Sequence, residues 1–176
     1  MPGYVIHLAT ANEYIRKHKD EIKNKEEFLL GAIEPDFIGK EGKRETHFGE
    51  SSSRVKLREF LKAKDIDTDH NKGYFLHLVT DYIFYNKIIS TISKDIYNDY
   101  DILNKHLMEK YKVKISDNIK DSVFFKEGET KILTKELAEK TIDETSELNL
   151  EKIKEEILSV VYTEKWDKIR ELKRLD

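Results

Sequence analysis

Gly73-Tyr-Phe-Leu-His-Leu-Val-Thr-Asp-Tyr-Ile-Phe-Tyr85 is apolar on nearly every helical face, and of the twelve residues from Tyr74 to Tyr85 only His77, Thr80 and Asp81 are neither apolar nor aromatic. A helix that is hydrophobic all round is buried, so the run predicts a central core helix. At four-residue spacing His77 and Asp81 leave that helix on one face, with Cβ atoms about 5–6 Å apart. An ionised Asp left unpaired in such surroundings costs several kcal/mol, so a basic group or a metal ion is expected opposite it. The longer stretch from Gly73 to Ile89 is interrupted by His77, Asp81, Asn86 and Lys87. It is therefore too short and too polar to span a bilayer comfortably, and no transmembrane segment is expected.

Working outward, the other segments show mostly helical spacing, with only two Pro and seven Gly as punctuation. The expected fold is all-α: a compact multi-helix bundle around the buried helix, with one short β-hairpin as an open alternative. Tyr4 to Lys23 is predicted helical, with Leu8, Ala11 and Ile15 on one side. Lys25 to Ile33 is predicted as a short helix stopped by Pro35, because the residue before a proline avoids the α region. Gly39 to Gly49 is polar and reads as loop; Ser51 to Ser53 are expected to cap a helix carrying Val55, Phe60 and Leu61. A second loop, Asp65 to Lys72, leads into the central helix. Asp101 to Tyr111 is predicted helical. Val113 to Leu133 stays ambiguous, with Val123–Phe125 and Lys131–Leu133 flanking Gly128 as the candidate hairpin. Thr134 to Glu147 is predicted helical, followed by a helix capped by Asn149 and carrying Leu150, Ile153, Ile157 and Val160. Trp166, Ile169 and Leu172 would continue as a last amphipathic turn or two. No repeat, low-complexity tract or linker divides residues 1–176, so a single domain is expected, of a size that buries roughly two-thirds of its unfolded surface.

The 32 basic and 35 acidic residues are mixed along the chain and leave a net charge of −3, without the global basic field that drives nucleic-acid binding. Nor is there a long basic groove interleaved with aromatics, so nucleic acid is not expected as a partner. Cysteine is absent, which removes disulfides and thiolate ligation and leaves His, Asp and Glu as side-chain metal ligands. The amino-terminal residues show no basic segment followed by a long apolar stretch, and a cytoplasmic location is expected. The oligomeric state is left open.

Six histidines occur, at positions 7, 18, 47, 70, 77 and 106. His7 sits in the apolar context Tyr4-Val-Ile-His-Leu-Ala and is expected to point inward. Asp36 follows the helix stop in Gly31-Ala-Ile-Glu-Pro-Asp36, and His47 ends a polar loop at Thr46-His-Phe48. Singly, each has an ordinary explanation as a core, turn or cap residue. Together with His77 and Asp81 they make the donor set that suits a borderline divalent ion. The competing explanation for the pair is that Asp81 orients His77 or meets a Lys or Arg of another helix. His18 and His70 read as solvated, and His106 has no acidic partner at helical spacing.

In this order, an inward His7, then Pro35-Asp36, Thr46-His47 and His77-Leu-Val-Thr-Asp81, the first 90 residues or so resemble the zinc-dependent phospholipase C family, which is related to the single-strand-specific zinc nucleases. The resemblance implies an all-α fold and hydrolysis of phosphodiester bonds. It also implies a zinc ion held by Asp36, His47, His77 and Asp81, with His7 belonging to a neighbouring metal that Asp81 shares. The chain departs from the family pattern in opening Met1-Pro2-Gly3 without the metal-binding terminal Trp, and in having only His106 as a histidine after Asp81. One well-formed zinc site is therefore expected, with a weaker second left open, and not three. Such an ion would lower the pKa of water towards about 7. Glu34 or Asp36 would accept the proton, and Lys40, Lys43 and Arg44 would hold the phosphate of a lipid headgroup or other small phosphodiester. Four protein ligands leave less room for water than the three usual in catalytic zinc sites, so a non-catalytic helical module with a structural or vestigial ion is the alternative.

Overall fold

The computed structural model describes residues 3–159 and 165–176. Among them are eight α-helices, several short 3₁₀ turns and two strands of two residues each, which bears out the all-α expectation. The central helix is α5, numbered in chain order below, spanning Asp69–Ile83 and buried without interruption from Gly73 to Ile83. It starts within the stretch expected to be loop because the Thr68 side chain caps it, accepting from the Asn71 N–H at 3.1 Å. It continues into a π-turn, Phe84–Ile88, closed by the Ile89 N–H on the Phe84 carbonyl at 3.1 Å.

Helix α2, Lys25–Ile33, is capped by Asn24 and lies across α5. The crossing is unusually close because both helices place glycine at it. A Cβ on Gly31 would fall 2.0 Å from the His70 carbonyl oxygen, and one on Gly73 would fall 2.0 Å from that of Phe28. No residue with a side chain fits either position at this separation. Pro35 then ends α2, as expected, in a 3₁₀ turn over Glu34–Asp36.

Helix α1, Tyr4–Lys17, packs on α2, α6 and α7. It stops short of the expected Lys23. Its end is tied down by Lys17 Nζ donating to the Asp143 carbonyl and the Ser146 hydroxyl, and the chain then turns through Asp20 in the left-handed region (φ 70°). The stretch expected to be loop between Gly39 and Gly49 contains a short helix, α3, Lys43–His47. Helix α4, Leu57–Ala63, begins after Lys56 and is not capped by the serines, which belong to a separate 3₁₀ turn at Ser52–Arg54. Helix α6, Asp95–Tyr111, starts six residues before the expected Asp101; α7, Lys135–Glu147, and α8, Leu150–Leu158, carry the Thr134 and Asn149 caps.

The hairpin alternative is not realised. Between Val113 and Leu133 the backbone N–H groups of Lys131, Ile132 and Leu133 all donate to the buried carboxylate of Asp99, at 2.9, 2.7 and 2.8 Å, so they have no cross-strand partner to seek. The two strands lie elsewhere: Thr91–Ile92 (β1) pairs in parallel with Lys173–Arg174 (β2), Thr91 opposite Lys173. Ile169 and Leu172, expected in helical turns, lie in irregular chain leading into β2; Asn86 Oδ1 accepts from the Arg170 N–H at 2.6 Å and holds that path. Val160 lies outside the described residues. Buried hydrophobic side chains from Val5 to Trp166 form one core. Among the described residues no helix is long and apolar enough to cross a membrane.

Candidate metal centre

His77 and Asp81 leave the central helix towards α1, α3 and the turn at Pro35, and there they meet the other three residues singled out in the sequence. Asp81 Oδ1 lies 3.2 Å from His7 Nε2, and Asp81 Oδ2 lies 3.1 Å from His47 Nε2 and 3.4 Å from His77 Nε2. Asp36 closes the ring: its carboxylate is 3.4 Å from His47 Nε2, 3.6 Å from His77 Nε2 and 3.9 Å from His7 Nε2. The rings of His7 and His77 stack with centroids 3.6 Å apart. All five side chains are at most 1 % exposed.

The backbone orients two of the imidazoles. His77 Nδ1 is 2.7 Å from the Ala32 carbonyl, which fixes the proton on Nδ1 and turns the Nε2 lone pair to the centre. That carbonyl is in reach only because Gly31 and Gly73 let α2 and α5 touch. His47 Nδ1 sits 2.9 Å from the Thr46 hydroxyl and 3.2 Å from the Lys43 carbonyl, one turn back along α3, and both hold its ring in place. A backbone or carboxylate partner behind a ligating imidazole is the usual support of a metal site.

A charge set this deep should be paired, and this one is not fully satisfied from within the protein. Asp81 Oδ1 and Oδ2, Asp36 Oδ2 and both nitrogens of His7 are buried without a hydrogen bond. Two ligands each about 2.1 Å from a tetrahedral ion lie roughly 3.4 Å apart. The separations here, 3.1–3.9 Å, fall around that value. Two overlapping triads, His7 with His77 and Asp81, and Asp36 with His47 and His77, have ligand atoms close enough to share an ion. The donor types and the orphaned oxygens fit a divalent cation, and this cluster could hold one.

The competing salt bridge is realised only in part. Lys43 Nζ meets Asp36 Oδ1 at 2.5 Å, from the edge of the cluster, while the groups facing Asp81 are imidazoles. Burial and the neighbouring His77 push the His7 imidazole down to about 4. Burial also works against the His47 cation, but the carboxylates of Asp36 and Asp81 outweigh it and push His47 up to about 9. Burial opposes ionisation of Asp36 and Asp81 as well; the surrounding imidazoles outweigh it and hold both carboxyls below the usual range.

The remaining sequence candidates separate. Glu34 pairs with His70, Oε2 to Nε2 at 2.8 Å, so His70 is engaged where a solvated turn was expected. His106 has an acidic partner after all, in Glu139 at 2.7 Å on another helix, while His18 Nε2 lies 2.9 Å from the Ser146 carbonyl. Arg44 is exposed on α3. Lys40 falls in a 3₁₀ turn and its side chain lies outside the described ones. Spacing along the chain did not expose the Ala32 carbonyl as a support of His77; the trace it left in the sequence was the pair Gly31 and Gly73, one on each helix. Compared with protein-family models, curated proteins and solved structures, the chain matches none.

Proposed function

We propose that the chain is a metal-dependent hydrolase of phosphodiester bonds, similar in chemistry to zinc-dependent phospholipase C and acting on a lipid headgroup or a small phosphodiester. One observation carries this reading: both oxygens of the fully buried Asp81 face three imidazole nitrogens at 3.1–3.4 Å, none of them in a well-aligned hydrogen bond. Bound there, a divalent cation such as zinc supplies Lewis acidity and brings the pKa of water to about 7. Asp36, His47, His77 and Asp81 would hold it, the His77 tautomer being set by the Ala32 carbonyl behind it; the two carboxylates would balance its charge, and His7 would extend the set. Asp36, whose Oδ2 is buried without a hydrogen bond, or Glu34, beside His70, would accept a proton from water. Lys43, on the cluster's edge, meets a phosphoryl oxygen.

The second reading, a non-catalytic helical module with a structural ion, is favoured by crowding: five protein groups surround the centre where catalytic zinc sites have three. Zinc-loaded protein tested on bis(p-nitrophenyl) phosphate separates the two. Turnover that disappears in folded His77→Ala and Asp81→Ala variants supports the hydrolase. Turnover that survives them places the chemistry elsewhere, and zinc-dependent thermal stability with no turnover supports the structural ion.

A further inference from the structure

Tyr100, on α6, is 6 % exposed, yet its hydroxyl has no hydrogen-bond partner within the protein. Leaving such a group unsatisfied costs about 1–3 kcal/mol, and a buried orphan of this kind calls for an explanation. Its surroundings supply one. Tyr100 lines a cleft of about 880 Å³ between the 3₁₀ turn at Ser52–Arg54, Tyr85 of the π-turn, the first turn of α6 and the extended segment that carries β2. Lys43 lines the same cleft, and its ammonium touches Asp36 of the metal cluster. Burial first, then Tyr97, then the carboxylates of Asp81 and Asp36 push the Tyr100 phenol well above its ordinary value. The cleft is thus lined both by Lys43, which touches the cluster, and by Tyr100, whose protonated hydroxyl is buried at its inner end without an acceptor.

We propose that this cleft is the substrate site and that Tyr100 is a substrate-binding residue, its O–H donating to a phosphoryl oxygen that the Lys43 ammonium meets from the cluster side. The proposal rests on the phosphodiesterase reading above. It also narrows the substrate. The lining carries Lys43, Lys94 and three arginines against Glu50, Glu171 and Asp176, so the ligand is anionic. Arg54 and Arg170 are engaged with Glu171 and the Ile89 carbonyl and bias the potential of the wall; Lys43, engaged with Asp36, would meet the phosphoryl group while keeping that partner, since an ammonium has three donors. Tyr85, Tyr97 and Ile96 give the organic part an apolar seat, and the volume is in the range of small-molecule sites of about 300–1,000 Å³. The substrate class is a compact phosphate ester with an apolar or aromatic-packing group, not a polymer.

Calorimetric titration of zinc-loaded full chain with inorganic phosphate tests this, with the zinc content of every sample measured alongside. Tyr100→Phe should keep its zinc and bind phosphate about tenfold more weakly, the equivalent of about 1.4 kcal/mol. Unchanged phosphate affinity at full zinc content overturns the proposal and leaves the metal reading standing. Zinc-loaded wild type that binds no phosphate overturns it too, and wild type that takes up no zinc removes the functional reading and the proposal together. Should Tyr100→Phe fail to fold, zinc-loaded wild-type crystals soaked in phosphate decide: an anion within hydrogen-bond distance of Tyr100 Oη supports the site, and one bound elsewhere refutes it.

Discussion

His47 and His77 present Nε2 atoms 3.3 Å apart, a distance at which two lone pairs repel unless a proton or a cation lies between them. Without metal the proton is on His47, whose imidazole is pushed up to about 9. At pH 7 a cation must displace it, so zinc binding should release about one proton from this residue. Calorimetry in buffers of different ionisation enthalpy reads that number, and zero released protons would show His47 unprotonated or unligated. The same shifts set how the metal-free protein responds to pH. His47 is raised from 6.5, so its stabilisation is complete below about 6.5 and is lost as pH climbs through about 9. His7 is lowered from 6.5 to about 4, so the folded state binds fewer protons there and loses stability as pH falls across that window; Asp36 and Asp81, held low, add to the loss below about 4. In EDTA, the denaturant midpoint should be highest near pH 6.5 and lower at both 5 and 9; a midpoint still rising at pH 9 contradicts the assignment of His47. At this scale the sequence was legible where polar residues broke an apolar pattern, as His7, His77 and Asp81 do. It was opaque where the partner is a backbone atom, such as the Ala32 carbonyl, or a residue in ordinary helical context, such as Tyr100.

Helix α2 reaches α5 through Gly31 and Gly73, and the crossing sets the position of His77 Nδ1 against the Ala32 carbonyl. Gly31→Ala or Gly73→Ala should destabilise the chain by about 1–3 kcal/mol through overpacking, and weaken zinc by about 10–100-fold by moving the support behind a ligand. Melting curves and zinc titration check both, and an unchanged zinc affinity would show that the carbonyl does not matter. A second element depends on Asp99, whose carboxylate collects three N–H groups of the segment before α7. Asp99→Ala should cost roughly 3 kcal/mol or more, since each hydrogen bond to a charged group contributes about 1.5–3 kcal/mol. Hydrogen exchange should show the Lys131, Ile132 and Leu133 amides losing their protection, and amides that stay protected would mean another acceptor holds them. The elements that sequence patterning missed share one trait. α3 is five residues long, too short for a periodic signal, and the 131–133 segment and β2 are fixed by Asp99 and by Ser90 and Ile92, partners distant in the chain. The long apolar helix, the Pro35 stop and the Asn149 cap depend on neighbours in sequence, and those were readable.

As a whole, the molecule buries a ring of five ionisable side chains at its centre, so its stability should follow metal concentration. Free zinc at 100 times its dissociation constant adds about 2.7 kcal/mol, which for a domain of this size raises the melting temperature by roughly 5–10 °C. EDTA should remove that increment from wild type and leave Asp81→Asn unmoved; an increment that persists in Asp81→Asn places the ion at another site. The all-α class was legible because the central helix dictates it, whereas the parallel pairing of Thr91 with Lys173 joins residues no local pattern connects. That pairing has a kinetic corollary. The five candidate ligands lie between positions 7 and 81, while one wall of the cleft arrives with residues 169–176. Ion capture would need only the earlier contacts, and the last wall is closed by the pairing of Thr91 with Lys173, far apart in the sequence, through a ladder of two residues on each side. Such a ladder is a small cooperative unit. Its transient opening would widen the entrance while the imidazoles keep their places, so on the proposed reading admitting a compact ester and retaining an ion would be separate events.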